Sequence, residues 1–254
     1  MILEYFRPKD LNEALNLLSR QEPPMVIPLG GGTQLSHADK LPVAVVDLQD
    51  LPLNQIYSQG NNFKVGATVT LQKLSSHPQM PPALVEALHH EATLHIRSQA
   101  TVAGQLVTAD GRSPFTTALL ALDARIFIEP GARKISLGDW LPQRSSRSRS
   151  ELITEIDFPI QAAMSFEMIG RSPGDRPMVC VAIGVWPSGR TRVALGGIGD
   201  APILAMDGPE GDGADTAVEN AFMNATDAFA SGEYRSHAAK VIVSRLLSLG
   251  AKKV

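Results

Sequence analysis

Three consecutive glycines stand directly behind a short apolar run: Met25-Val26-Ile27-Pro28-Leu29 leads into Gly30-Gly31-Gly32 and then Thr33-Gln34-Leu35. The run reads as a short buried strand, and the glycines as the point where the chain turns with almost no side-chain bulk. Adjacent glycines permit positive φ and let backbone N–H groups approach a bulky ligand. Successive N–H groups in such a loop form a concavity suited to phosphate or pyrophosphate. The spacing matches neither G-x-G-x-x-G with a following acidic strand end nor G-x-x-x-x-G-K-[ST], which disfavours a Rossmann dinucleotide site and a P-loop. Taken alone, the triplet fits equally a strand-to-helix turn that needs flexible backbone and holds no ligand.

A second continuous apolar run, Val43–Asp47, follows the glycines. Continuous rather than alternating apolarity suggests strands covered on both faces, as in parallel or mixed sheets. Before the glycines, Asp10 and the spacing of Leu11, Leu15 and Leu18 predict a helix over 11–20, stopped by Pro23-Pro24. Further on, Gln59-Gly60-Asn61-Asn62 reads as a turn between short strands. Helical spacing returns at Leu71–Leu74, 82–92 and 115–122, and a strand is predicted over 124–129. After Trp140 a Ser/Arg loop precedes the strand-like run 151–158. Two β-rich runs, 178–186 and 191–196, are joined by the hairpin signature Pro187-Ser188-Gly189-Arg190. A Gly/Asp/Pro-rich segment, 198–215, leads to helical patterns at 216–230 and 234–249. The expected organisation is an α+β region to about residue 159, with subdomains about 1–52 and 53–159, then a smaller domain of antiparallel sheet and helices over 160–254.

Composition limits the function classes. At 254 residues with 44% hydrophobic and 19% charged residues, the chain can bury a core without covalent staples. A net charge of -3 gives no electrostatic reason to expect nucleic acid or an anionic membrane. The basic run Arg144–Arg149 alternates with serine and reads as a solvated loop. With Cys180 as its single cysteine, the chain has no internal disulfide and no cysteine-ligated iron–sulfur or zinc site of its own. No window approaches the ~20 apolar residues of a membrane span, and the first residues lack a basic start with an apolar signal core, so the expected location is the cytoplasm. His89, His90 and His95 lack a carboxylate at ligand spacing and read as surface or packing residues. Ser36-His37 with Asp39 and Asp47 makes no convincing catalytic triad, since there is no G-x-S-x-G elbow.

A second small-residue stretch, Thr101-Val102-Ala103-Gly104-Gln105, raises the ligand reading of the first. Two glycine-bearing loops offering Thr33, Gln34, Thr101 and Gln105 could clamp one extended diphosphate. PLGGGTQL, Pro28 to Leu35, is similar to an A-G-G-T-D-L loop, and IRSQATVAGQLVTAD, Ile96 to Asp110, to an I-R-N-x-A-T-I-G-G-N-I-x-x-A-D segment. Both belong to the FAD-binding subunit or domain of the molybdenum hydroxylases, as in the medium subunit of carbon monoxide dehydrogenase and the FAD part of xanthine dehydrogenase. ELITEIDFP (Glu151 to Pro159), SFEMIGRSPGDRPMVCVAIGV (Ser165 to Val185), RVALGGIG (Arg192 to Gly199) and YRSHAAKVIVSRLL (Tyr234 to Leu247) extend the resemblance over nearly the whole chain in the family's order.

The resemblance implies a two-subdomain, PCMH-like FAD-binding fold with a carboxy-terminal domain. It implies FAD as cofactor, its diphosphate on the two loops. By position, the residues carried over are Pro28, Leu29, Gly30, Gly31, Gly32, Thr33, Gln34, Leu35, Thr101, Ala103, Gly104, Gln105 and Asp110, with Ile153 against the flavin ring. It also implies a molybdopterin-binding large subunit and an iron–sulfur small subunit as partners, with electrons leaving to NAD, oxygen or a quinone, and no catalytic acid or base in this chain. Four departures accompany it: Ala103 for a glycine, Pro114 where the family has a carboxylate, Glu167 where a lysine is frequent, and a compressed region from Arg133 to Ser150. The alternative reading is a degenerate subunit that keeps the scaffold for assembly while binding FAD weakly or not at all.

Overall fold

The structure, a computed structural model, describes residues 1–35, 42–146, 148, 150–172 and 174–250. Ser36, His37 and Asp39 lie outside the described residues, as do Arg147 and Arg149 of the Ser/Arg run. The chain forms two compact units, the first from Met1–Leu74, Leu94–Thr108 and Arg125–Asp157 and the second from Ser75–Thr93, Ala109–Ala124 and Phe158–Val254.

In the first unit, Val43–Asp47 is the middle of a three-stranded sheet and pairs in parallel with Ile2–Phe6 on one side and Met25–Leu29 on the other. All five of its residues are buried, as its unbroken apolarity requires. The helix Leu11–Leu18 is capped by Asp10, whose carboxylate accepts from Glu13 N–H at 2.8 Å. Its Ala14 and Leu18 pack with Val26, Ala44 and Val46 in one apolar cluster. The sequence reading did not anticipate the strand Ile2–Phe6, which lies on the sheet edge with Ile2, Leu3 and Tyr5 exposed. The unit's other sheet has five strands in the order Ile56–Gln59, Asn62–Gly66, Leu152–Pro159, Arg125–Glu129, Arg133–Ser136. The predicted turn at Gly60 takes φ +60, the left-handed region that favours glycine.

The second unit is built on a four-stranded antiparallel sheet of Ala163–Ile169, Val179–Val185, Thr191–Gly196 and Ile203–Gly208, paired in chain order. Helices Ala214–Phe222 and Gly232–Gly250 supply Val218, Phe222, Ile242 and Val243 to a core shared with Val181, Ile183 and Val193 of the sheet. The helix Pro114–Ala121 has all eight residues buried, so it shows no polar stripe.

Two expectations are corrected here. The helix predicted over 216–230 ends at Phe222, because the Asp227 carboxylate accepts from the N–H groups of Phe229 (2.8 Å) and Ala230 (3.1 Å) and from Arg235 Nη2 (2.8 Å). These bonds give the backbone a folded loop in place of another helical turn. The Gly/Asp/Pro-rich segment 198–215, for which no strand was expected, contains the edge strand Ile203–Gly208.

Candidate functional site

Met25–Leu29 is held on the middle strand of the parallel sheet and delivers the three glycines to the wall of a cavity of about 390 Å³ within the first unit. That volume lies in the range of small-molecule sites. Of the residues expected to bind, Pro28, Gly30, Gly31, Gly32, Thr33, Gln34, Leu35, Thr101, Ala103, Gly104 and Ile153 line it. Leu29 does not; its carbonyl accepts from Leu48 N–H at 3.1 Å and ties the end of the strand to the sheet. Gln105 is also outside the lining. Asp110 belongs to the second unit, where both its carboxylate oxygens accept from Arg176 and one accepts from Arg112 N–H at 2.8 Å.

The second stretch is not an open loop. Val102–Thr108 is a helix with Val102 and Leu106 buried, and the Thr101 hydroxyl caps it by accepting from Gly104 N–H at 3.2 Å. Thr101 is also paired with Thr70 in an isolated bridge and is 5% exposed. A Cβ built on Gly30 would stand 2.7 Å from the Thr101 hydroxyl oxygen, and one on Gly104 would stand 2.8 Å from it. Glycine at both positions therefore makes room for the threonine that joins the two stretches.

Gly31 has the tightest surroundings. Its Cβ would fall 1.7 Å from the carbonyl oxygen and 2.5 Å from the carbonyl carbon of Gln99. The absence of a side chain at Gly31 is thus required by the backbone leading to Thr101. This corrects the expectation that Gly31 chiefly leaves space for a phosphate. Gly32 takes φ +71 and turns the chain.

The N–H groups of Gly30, Gly31 and Thr33 donate to no acceptor among the described residues. Three donors in one short loop, on the wall of a cavity, form the kind of anion cradle a diphosphate needs. The remaining wall is largely apolar, with Ile27, Leu48, Ile128, Trp140, Leu152 and Ile153, and suits the flat body of an aromatic ligand. The residues present therefore fit a dinucleotide that joins an anionic bridge to a large ring system. Ala103 lines the cavity from the first turn of its helix, and its N–H is engaged by the Ala67 carbonyl at 3.2 Å, so it is not a free donor.

Sequence reasoning missed Trp140, Arg144 and Ser148, which also line the cavity. They follow the strand Arg133–Ser136 in the region from Arg133 to Ser150 read as compressed, and that strand pairs with Arg125–Glu129, whose Ile128 also lines the cavity. Among the described residues no group of three or more His, Cys, Asp or Glu could hold a metal, and no helix is long and apolar enough to cross a membrane.

Comparison with known proteins defines the class. The family described as the FAD binding domain in molybdopterin dehydrogenase matches residues 1–161. The chain belongs to this family: it is an FAD-binding oxidoreductase subunit of the molybdenum hydroxylase type. Among curated relatives, the uncharacterized protein YgfM of Escherichia coli K12 is 29% identical over 254 residues, covering 97% of this chain and 95% of YgfM. The nicotinate dehydrogenase FAD-subunit of Eubacterium barkeri is 29% identical over 170 residues, covering 60% of this chain and 57% of its own. Among solved structures, carbon monoxide dehydrogenase from Oligotropha carboxidovorans superposes with a TM-score of 0.82 at 24% identity, covering 96% of each chain, a likeness of fold.

Proposed function

We propose that this chain is the electron-transfer subunit of a multi-subunit molybdenum hydroxylase, taking electrons from iron–sulfur clusters of a small partner and passing them to an external acceptor such as NAD, oxygen or a quinone. A molybdopterin-binding large subunit would carry out substrate oxidation, so the substrate is not set by this chain. Bound FAD supplies the redox centre that accepts electrons and releases them to the acceptor.

The chain's own residues do the binding. The N–H groups of Gly30, Gly31 and Thr33 hold the diphosphate, and the Thr101 hydroxyl fixes the helix that completes the cradle. Ile153, with Trp140 and Ile128, excludes water from the apolar part of the cavity. No side chain here needs to move a proton. The observation that carries this reading is the loop of unengaged N–H donors set in an otherwise apolar cavity. The relatives' names agree with it: one is an FAD-subunit of nicotinate dehydrogenase, another the subunit beta of caffeine dehydrogenase from Pseudomonas sp..

The test is an absorption spectrum of the purified protein, before and after adding FAD and removing the excess. Close to one equivalent of retained flavin is the expected result. A protein that stays colourless, alone and when co-expressed with its large and small partners, would overturn the proposal.

A further inference from the structure

In the second unit, Arg112, Arg171, Arg176 and Arg235 share a neighbourhood with the carboxylates of Asp110 and Asp227. Both carboxylates are taken: Asp110 by Arg176, and Asp227 by the fully buried Arg235. Arg112 and Arg171 have no ion pair among the described residues, and Asp175, on the loop that carries Arg171, pairs with neither. Arg112 is nevertheless held firmly. Its Nε donates to the carbonyls of Pro177 at 3.1 Å and Gly197 at 3.2 Å, and its Cζ lies 3.9 Å from the centroid of the Phe229 ring. Its Nη1 and Nη2 donate to no acceptor among the described residues and are open to solvent. Arg171 is exposed, its Cζ lies 5.3 Å from the same centroid, and its guanidinium likewise donates to no acceptor among the described residues. Phe229 is exposed but anchored, its N–H donating to the Asp227 carboxylate at 2.8 Å. Neither arginine lines the glycine-loop cavity, nor does Phe229.

Two guanidinium groups resting on one ring repel each other, and the ring's negative face offsets only part of that. Burial, the largest cause, holds the Arg112 guanidinium below its ordinary range; Asp227 and Asp110 act against that shift, and Arg235 and Arg176 act with it. The neighbourhood therefore gives this cation too little counter-charge for the water it has lost. A guanidinium stays protonated, and its planar fork meets two oxygens of one phosphate. A second guanidinium beside it suits a group that carries close to two charges at neutral pH, as a phosphate monoester does. We propose that Arg112 and Arg171, set on Phe229 as a common platform, form an anion site for a phosphate dianion, either inorganic or the terminal phosphate of a nucleotide such as AMP. The site is built from residues outside the glycine-loop cavity and does not rest on the FAD reading.

The test is isothermal titration calorimetry of the full chain at low salt with inorganic phosphate, AMP and adenosine. Saturable binding of phosphate or AMP with a Kd of about 1 mM or tighter is expected, with no binding of adenosine. Equal affinity for phosphate and AMP identifies the bare anion as the ligand, and tighter AMP identifies a nucleotide. Arg112→Gln and Arg171→Gln should each weaken the anion about 10-fold or more, as for loss of a charged hydrogen bond, and together should remove it. Phe229→Leu, which keeps both charges and takes away the platform, should weaken it about 2- to 5-fold. Arg112→Gln also gives up the bonds to Pro177 and Gly197 and is expected to melt lower; Arg171→Gln, at an exposed position, should melt with wild type and carries the test by itself. Arg245→Gln, which removes the partner of Glu167 in the same unit, should leave phosphate binding unchanged. The proposal is overturned if wild type shows no saturable binding of phosphate or AMP, or if adenosine binds as tightly as AMP. It is equally overturned by binding that survives Arg171→Gln unchanged, which assigns the anion to the glycine loop, or by equal weakening in Arg245→Gln, which leaves only diffuse attraction.

Discussion

Gly31→Ala separates two explanations for a glycine in a binding loop. If the glycine only leaves room for a phosphate, the methyl group should harm FAD binding and leave the empty protein untouched. In the structure the added Cβ would lie 1.7 Å from the Gln99 carbonyl oxygen. Ordinary contact needs about 3.4 Å, so the glycine loop and the backbone before Thr101 must separate by about 1.7 Å. Both opposing groups are backbone, so no rotamer change relieves the overlap, and overpacking of this kind costs about 3 kcal/mol. For a chain of this size that corresponds to a loss of about 6–12 °C in melting temperature of the apoprotein. Flavin affinity should fall with it, since Thr101 and Gly104 move relative to the donors of Gly30 and Thr33. The assay is melting by circular dichroism with FAD stripped, beside Gly32→Ala as control. Gly32 takes φ +71 but has only the Leu29 side chain at 3.4 Å from its added Cβ, so it should lose only about 1 kcal/mol from backbone strain. Apoprotein of Gly31→Ala that melts with wild type, while its flavin affinity is lost, would refute the loop-apposition argument and restore the phosphate-space one.

Three further outcomes follow from the same geometry. Thr101→Val removes the cap on Gly104 N–H and should cost about 1 kcal/mol in urea unfolding; an unchanged midpoint would mean the cap contributes nothing. Arg235 is fully buried and donates to the carbonyls of Met178 (3.0 Å) and Ala225 as well as to Asp227, so Arg235→Met, which strands those acceptors, should cost about 3 kcal/mol or more, and a loss under 1 kcal/mol would contradict it. Burial pushes the Glu91 carboxyl up to about 7, against the lowering effect of hydrogen bonds from Phe115 N–H and Ser113 Oγ and of the nearby Arg176 charge. The folded protein then holds a proton that the unfolded chain releases above its ordinary value of 4.5, so stability is full below pH 4.5 and declines as pH rises through about 7, by roughly 3 kcal/mol. Glu91→Gln should flatten that slope in a series of melting curves, and equal slopes for both proteins would rule out Glu91 as its source.

How much was legible in the sequence differs by element. Val43–Asp47 and Val179–Val185 could be read because burial on both faces demands unbroken apolar runs. The hairpin at Gly189 and the turn at Gly60 could be read because positive φ selects glycine. The edge strands Ile2–Phe6 and Ile203–Gly208 were missed, since an edge needs only one covered face and tolerates exposed Leu3, Tyr5 and Ile203. The glycine loop was visible as a candidate site, but the reason for Gly31 was not, because Gln99 approaches it through the fold and leaves no local signal. The place of Arg144 in the cavity lining was hidden for the same reason: no local pattern joins residues 133–146 to a loop more than a hundred positions earlier.

The departures from the family pattern gain meaning from their neighbours. Pro114 occupies the first position of the helix Pro114–Ala121, where a missing N–H costs nothing, and Glu91 brings a carboxylate to that helix start through Ser113 and Phe115 N–H. Glu167 is paired with Arg245 of the last helix, so the charge it introduces is offset within its own unit. Ala103 sits in a helical turn whose N–H already serves Ala67, so a glycine there would add no donor for a phosphate and would loosen the helix by about 0.5–1 kcal/mol. Each substitution thus has a local arrangement that accommodates it, and none touches the N–H groups of Gly30, Gly31 and Thr33.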